Sequence, residues 1–315
     1  MGCAAEIIVF GGSQRVGGAS GLTERALHLL AELETRWSRF VPSSDITTVN
    51  ANPGVSVSVH WTTRNVVLLA IEAWSRTDGR YDPTILPALS AHGYDRNFRD
   101  IDANENRLWD GSVKRPVPSP APGCAGITVD VVGSAIRLPR GVALDLGGIG
   151  KGYAADLVAS DLVENGATGA LVNIGGDVRV CGAPPEDTWV IRIEDPHDAR
   201  RTIDLLRIVD GAVAVSCTRS RRWSGPLGDS HHIVDPATGR PTTSGLCCVA
   251  VLAGAGWWAE VLTKAMLVAG ATDAFAVLDH IGEGAHALTV REDGYVASSE
   301  GLRPFSHRGQ LRSTC

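Results

Sequence analysis

An apolar run breaks into glycines and a lysine in Val142-Ala-Leu-Asp-Leu-Gly-Gly-Ile-Gly-Lys-Gly-Tyr-Ala-Ala-Asp156, then continues with helical composition. Glycines let backbone N–H groups crowd around a ligand, and a helix start adds partial positive charge suited to a phosphate. Lys151 places a full charge at the same spot. The spacing is neither the dinucleotide fingerprint G-x-G-x-x-G nor the phosphate loop G-x-x-x-x-G-K-[ST]. Alone, the segment is equally compatible with a tight turn. Four further clusters share its polar-glycine character: Ser43-Ser-Asp-Ile46 with Asn50, Asp78-Gly-Arg-Tyr-Asp-Pro83, Asn173-Ile-Gly-Gly-Asp177, and His231-His-Ile-Val-Asp-Pro-Ala-Thr-Gly239. Each by itself reads as a turn, because Gly, Asn and Asp have backbone reasons to sit there.

A sixth segment carries charge in an unusual setting. Trp257-Trp-Ala-Glu-Val-Leu-Thr-Lys-Ala-Met-Leu-Val-Ala269 is apolar nearly all round, as a buried helix would be. Its polar residues Glu260, Thr263 and Lys264 fall at i, i+3 and i+4, on one stripe. Two readings stand: a surface Glu–Lys pair worth about 0.2–0.5 kcal/mol, or the lining of a polar cavity, since unpaired buried charge is costly. His232 has the chemistry of a zinc ligand, a general base or a hydrogen-bonding group. No H-x-x-x-H spacing accompanies it, and in a strand its neighbour His231 points the other way, so zinc is not expected. No G-x-S-x-G elbow is present. The arginines of Ser216-Cys-Thr-Arg-Ser-Arg-Arg-Trp223 suit either phosphate contact or a solvated turn.

The elements that must position these residues follow from periodicity. Helices are expected over 21–39, 62–77, 84–91 and 152–164, and over 257–270 followed by 273–282. The stretch from Pro42 to Pro53 is turn-rich, and Val142–Leu146 has strand character. Short strands within 105–141 are broken by a Pro/Gly-rich stretch, 116–126, read as a flexible excursion. Strands are expected at 170–173, in hairpins over 187–218, and near 285–297. Helices and strands mix without βαβ alternation, which predicts an α+β fold with mixed or antiparallel sheets and packed helices.

The chain has 315 residues, 44% hydrophobic and 20% charged, with a net charge of −6. The acidic balance argues against nucleic-acid binding. No apolar run approaches the ~20 residues that cross a bilayer, and the N-terminus lacks the basic and apolar regions of a signal peptide. Seven cysteines without a C-x-x-C pair suit reduced thiols. These features predict a cytoplasmic protein without membrane insertion.

In order along about residues 1–300, the motifs resemble the ApbE family of FAD:protein FMN transferases. Its pattern of S-R-F/Y-x-P-x-S-E-I-S-x-x-N, D-G-x-F-D-P, D-L-G-G-I-A-K-G-Y-A-x-D, N-x-G-G-D and H-I-I-D-P-x-T-G is matched here. The matching segments are Ser38-Arg-Phe-Val-Pro-Ser-Ser-Asp-Ile-Thr-Thr-Val-Asn50, Asp78–Pro83, Asp145–Asp156, Asn173–Asp177 and His232–Gly239, after a Met1-Gly-Cys start. The resemblance implies a single α+β domain over 1–315, formed of two closely packed lobes with the FAD cleft between them. It implies an enzyme that cleaves FAD, attaches FMN to a threonine of an acceptor protein and releases AMP, with Mg²⁺ against the pyrophosphate. A non-catalytic FAD-binding protein and an FAD pyrophosphatase yielding FMN and AMP are the alternatives.

By position, the resemblance assigns FAD contacts to Met1, Phe40, Arg80, Tyr81, Asp82, Asp145, Lys151, Gly175, Gly176, Asp177 and His232. Phe40 would lie against the flavin ring and Lys151 would pair with phosphate. Lys151, His232, Glu260 and Lys264 are the candidate catalytic groups, and the Gly148 carbonyl with Glu260 the implied metal ligands. This chain departs from the family's late helix motif, A-D-x-x-x-T: Glu260 stands for the Asp and Lys264 for the Thr. A lysine at that place suggests that its ammonium replaces the metal, or that FAD is bound but poorly turned over.

Overall fold

A computed structural model describes residues 2–12, 17–101, 117–184 and 186–307. Strand β1 (Ala5–Phe10) precedes helices α1 (Gly18–Trp37) and α2 (Asp45–Ala51). Strand β2 (Val57–Ser58), helices α3 (Trp61–Arg76), α4 (Leu86–Ala91) and α5 (Phe98–Ile101), and strands β3 (Thr128–Asp130) and β4 (Ala135–Arg137) follow. Helix α6 (Gly150–Glu164) leads into β5 (Gly169–Ile174), β6 (Asp177–Gly182), β7 (Trp189–Asp195), β8 (Asp198–Ile208) and β9 (Gly211–Cys217). Short strands β10 (Arg222–Gly225), β11 (Gly228–His231), β12 (Val234–Asp235) and β13 (Arg240–Pro241) come next. β14 (Leu246–Ala253), α7 (Gly256–Ile281), β15 (His286–Arg291) and β16 (Val296–Ser298) close the fold.

The chain divides into two compact units. The first comprises Leu33–Gly148 and Thr218–Ser244; the second comprises Cys3–Glu32, Ile149–Cys217 and Gly245–Cys315. The second is built on a seven-stranded sheet, β1-β5-β6-β9-β14-β15-β16, antiparallel at every pairing. Helices α6 and α7 pack on this sheet and on each other. The β7–β8 hairpin contributes Trp189, Ile191, Ile193, Ile203, Leu206 and Ile208 to a core shared with Val180, Ala250, Leu252 and Val290. β14 is buried along its whole length because neither of its faces meets solvent. The first unit carries the small sheet β2-β4-β3, the β10–β11 and β12–β13 hairpins, and a cluster of Ala88, Leu89, Tyr94, Trp223 and Val234.

The α+β expectation holds, as do the predicted helices. The break expected after residue 270 is Gly270, whose φ of 84° interrupts α7. Several local expectations differ. Pro42–Pro53 contains α2, started by Ser44, whose hydroxyl accepts the Thr47 N–H at 3.0 Å. Val142–Leu146 forms no strand: the Asn50 amide bonds both the Leu144 N–H (2.8 Å) and its carbonyl (2.9 Å), taking the place of a ladder neighbour. β1 and the β10–β11 hairpin were not foreseen. The stretch 116–126 is tied where described. Ala121 N–H donates to Pro236 and Gly123 N–H to Thr84, and a side chain on Gly239 would strike the Ser119 backbone. Helix α7, with 26 residues, is long and apolar enough to cross a membrane by composition alone, against the expectation that no such run exists. Half of its most apolar window is buried against the sheet and α6, as expected of a core helix.

Candidate functional site

In the second unit, α6 and α7 cross at glycines. A methyl on Gly152 would lie 2.8 Å from the Trp257 nitrogen, and one on Gly256 would lie 2.6 Å from the Gly152 carbonyl oxygen. Only hydrogens fit there. This close approach does two things. Asp156 of α6 accepts the Gly256 and Trp257 N–H groups (2.7 and 3.0 Å), capping α7 from outside because Ala255 has no side chain to do it. It also brings Glu260 onto the start of α6, where Oε2 accepts the Gly152 N–H at 2.8 Å.

Glu260 is fully buried. Its Oε1 receives Lys151 Nζ at 2.7 Å and Lys264 Nζ at 3.1 Å. Lys151 also pairs with Asp177 Oδ2, and Asp177 is 1% exposed. Two ammoniums and two carboxylates thus share one buried knot, formally neutral. The Glu–Lys stripe is therefore no surface pair. Burial works to raise the Glu260 carboxyl, but the Lys151 and Lys264 charges outweigh it and hold the group at about 2. Asp156 is pushed the other way, to about 6, by burial that its N–H bonds and Arg179 only partly offset. Asp177 Oδ1 is buried and bonds no described residue. Gly175 and Gly176 hold the turn before it with φ of 62° and 96°, and the Asn173 side chain accepts the Gly176 N–H at 3.0 Å. Thr263 is turned toward Ser216, hydroxyl to hydroxyl at 2.7 Å.

The first unit gathers other motifs around Asp145. Arg39 Nε meets Asp145 Oδ2 at 2.6 Å with both side chains nearly buried. Its other arm donates to the Tyr94 carbonyl at 2.7 Å, and its guanidinium lies 4.2 Å from the Phe40 ring centre and 4.8 Å from that of Tyr94. Asp145 Oδ1 accepts the Gly147 N–H, and Asp145 N–H donates to the Pro83 carbonyl at 2.7 Å. The glycine loop, the Asp78–Pro83 loop, Asn50 and Phe40 therefore converge on residues 144–145. Arg39 was not singled out in the sequence; an arginine next to the aromatic Phe40 was the available signal.

The remaining assignments divide by exposure. Asp82 is buried, with its carboxylate accepting the Thr84 N–H and hydroxyl (2.7 and 2.6 Å), and burial raises it. It shapes the loop. Tyr81 is buried beside it and Arg80 is half-buried. His231 is buried, with Nε2 3.1 Å from the Thr242 carbonyl oxygen, whereas His232 lies half-buried just past β11. Arg219 and Arg222 are exposed after β9. Met1 lies outside the described residues.

The implied metal does not fit this donor set. A magnesium ion takes oxygen ligands in near-octahedral order at about 2.0–2.1 Å. Both Glu260 oxygens already face donors, two of them cationic. No group of three or more His, Cys, Asp and Glu residues suited to a metal occurs among the described residues.

A glycine loop leading into α6, an inward-facing ionic knot on an apolar helix and an antiparallel α+β frame are the features that characterise this chain. The sequence profile of the ApbE family matches residues 1–289, and the chain belongs to that family. It is 26% identical over 282 residues to the FAD:protein FMN transferase of Vibrio cholerae, covering 88% of this chain and 82% of that protein. To the Rhodobacter capsulatus protein of the same name it is 27% identical, over 72% of this chain but 42% of the relative. The fold matches the ApbE protein of Thermotoga maritima with a TM-score of 0.80 and 28% identity, covering 96% of each chain.

Proposed function

We propose that this protein is an FAD:protein FMN transferase that moves FMN from FAD onto a threonine hydroxyl of an acceptor protein. The hydroxyl oxygen forms a bond to the FMN phosphorus, the anhydride P–O bond breaks, and its electron pair leaves with AMP. The hydroxyl proton passes to a base, for which His232 is the candidate. The reaction needs positioning and charge more than a nucleophile on the enzyme. The observation that carries the reading is the Lys151–Glu260–Lys264–Asp177 knot at the start of α6, in a chain that belongs to this family. Phe40, braced by Arg39, offers an aromatic face for the flavin ring, and Asp145 fixes the loop that leads into α6. Because the Glu260 donor set does not fit a dication, no step is assigned to Mg²⁺.

The test is incubation with FAD and an FMN-binding acceptor domain bearing a threonine. AMP is followed by chromatography and acceptor mass by mass spectrometry. Equal amounts of AMP and acceptor-bound FMN are expected. AMP with free FMN would reveal a pyrophosphatase, and FAD binding without AMP a flavin-binding protein.

A further inference from the structure

We infer that Lys264, together with Lys151, occupies the place at Glu260 that a divalent cation would otherwise take, so that FAD is bound and cleaved without metal. The inference rests on the reading of the site as a pyrophosphate-handling one. Glu260 is the carboxylate on α7's polar stripe and has two oxygens. Oε2 is committed to the Gly152 N–H at 2.8 Å, and this bond is locked by the glycine crossing. Oε1 holds both ammoniums, at 2.7 and 3.1 Å. A dication approaching Oε1 would sit beside two positive charges and displace at least one of them. Lys264 is held one helical turn from Glu260 within a largely buried environment, with its side chain 14% exposed.

The charge sum agrees. Lys151 and Lys264 balance Glu260 and Asp177, leaving the knot neutral; a metal in addition would give it +2. With Lys264 replaced by a neutral residue the same knot is −1, and a dication would bring it to +1. Lysine and metal are thus alternatives at this carboxylate. Asp177 Oδ1 is the one orphaned buried acceptor described in the knot, and one oxygen does not make a magnesium site.

The experiment uses the full chain, stripped of metal, with Mn²⁺ alone as the probe in an electron paramagnetic resonance titration. In parallel, FAD affinity and AMP release with acceptor are measured in EDTA and in Mg²⁺. Wild type is expected to take up no Mn²⁺ at this site, and to bind FAD and release AMP equally well in EDTA and Mg²⁺. K264T is expected to acquire Mn²⁺ binding about 10- to 1,000-fold tighter than wild type, the range for removing a like charge from a binding group. It should also become dependent on divalent cations. K264M, which cannot ligate, should weaken FAD binding in EDTA. One equivalent of Mn²⁺ bound by wild type and lost in E260Q would overturn the inference, as would AMP release abolished by EDTA. If no AMP forms under any condition, the transferase reading fails while the Mn²⁺ isotherm of wild type still decides the cation question.

Discussion

Replacing Glu260 by Gln tests whether the buried knot is held together as described. The glutamine keeps one oxygen for the Gly152 N–H but turns an amide N–H₂ toward Lys151 and Lys264. The knot changes from two positive and two negative charges to two and one. Removing one partner of a buried pair costs about 3–5 kcal/mol. Linkage gives the direction with pH. The Glu260 carboxyl is held at about 2 in the folded protein, below its unfolded value, so its ionised form favours folding. Because the folded value is depressed, this stability is fully present above the unfolded value and is lost as pH falls toward 2. Urea unfolding of wild type and E260Q at pH 7 should differ by about 3–5 kcal/mol, and at pH 3 by less. A difference under about 1 kcal/mol at pH 7, or one that does not shrink in acid, would refute the buried-pair argument.

Gly152→Ala gains about 1 kcal/mol of helix propensity, but its methyl strikes the α7 backbone. Overpacking of about 1–3 kcal/mol and the lost bonds of Gly152 and Asp156 should outweigh the gain, so a lower thermal midpoint is expected and an unchanged one would deny the tight crossing. Asn50→Ala strands the buried N–H and C=O of Leu144, and at about 1–3 kcal/mol per unsatisfied group a urea midpoint within error of wild type would contradict the pairing. Asp156 has a folded value raised to about 6, so the folded state binds more protons than the unfolded one between about pH 4 and 6. Its contribution to stability falls as pH rises through that window, and Asp156→Asn should flatten the slope in urea titrations. Ser44→Ala should cost about 1 kcal/mol through loss of the α2 cap, read by the same unfolding assay.

What was legible in the sequence is what periodicity and glycine chemistry encode locally. The α7 stripe was visible because three polar residues interrupt an apolar helix at helical spacing, and the kink because Gly270 sits where the pattern pauses. Lys151 and Asp177 were named through the family resemblance, but their pairing into one knot with the α7 stripe was not visible. Lys151 reaches Glu260 from α6 and in turn holds Asp177 at the start of β6, and these separations in sequence are set by tertiary packing alone. The same holds for Arg39, whose partner Asp145 lies a hundred residues away, and for Asn50, which imitates a strand neighbour by a side chain. Periodicity cannot show such substitutions of side chain for backbone. It also overstated Val142–Leu146, where alternation met Asn50 rather than another strand. Where one glutamate must serve two lysines, the departure at Lys264 acquires its meaning only once Lys151 is placed beside it. In the sequence, Lys264 is only a departure from the helix motif that the chain resembles. The fold makes that lysine a competitor of any dication for Glu260 Oε1.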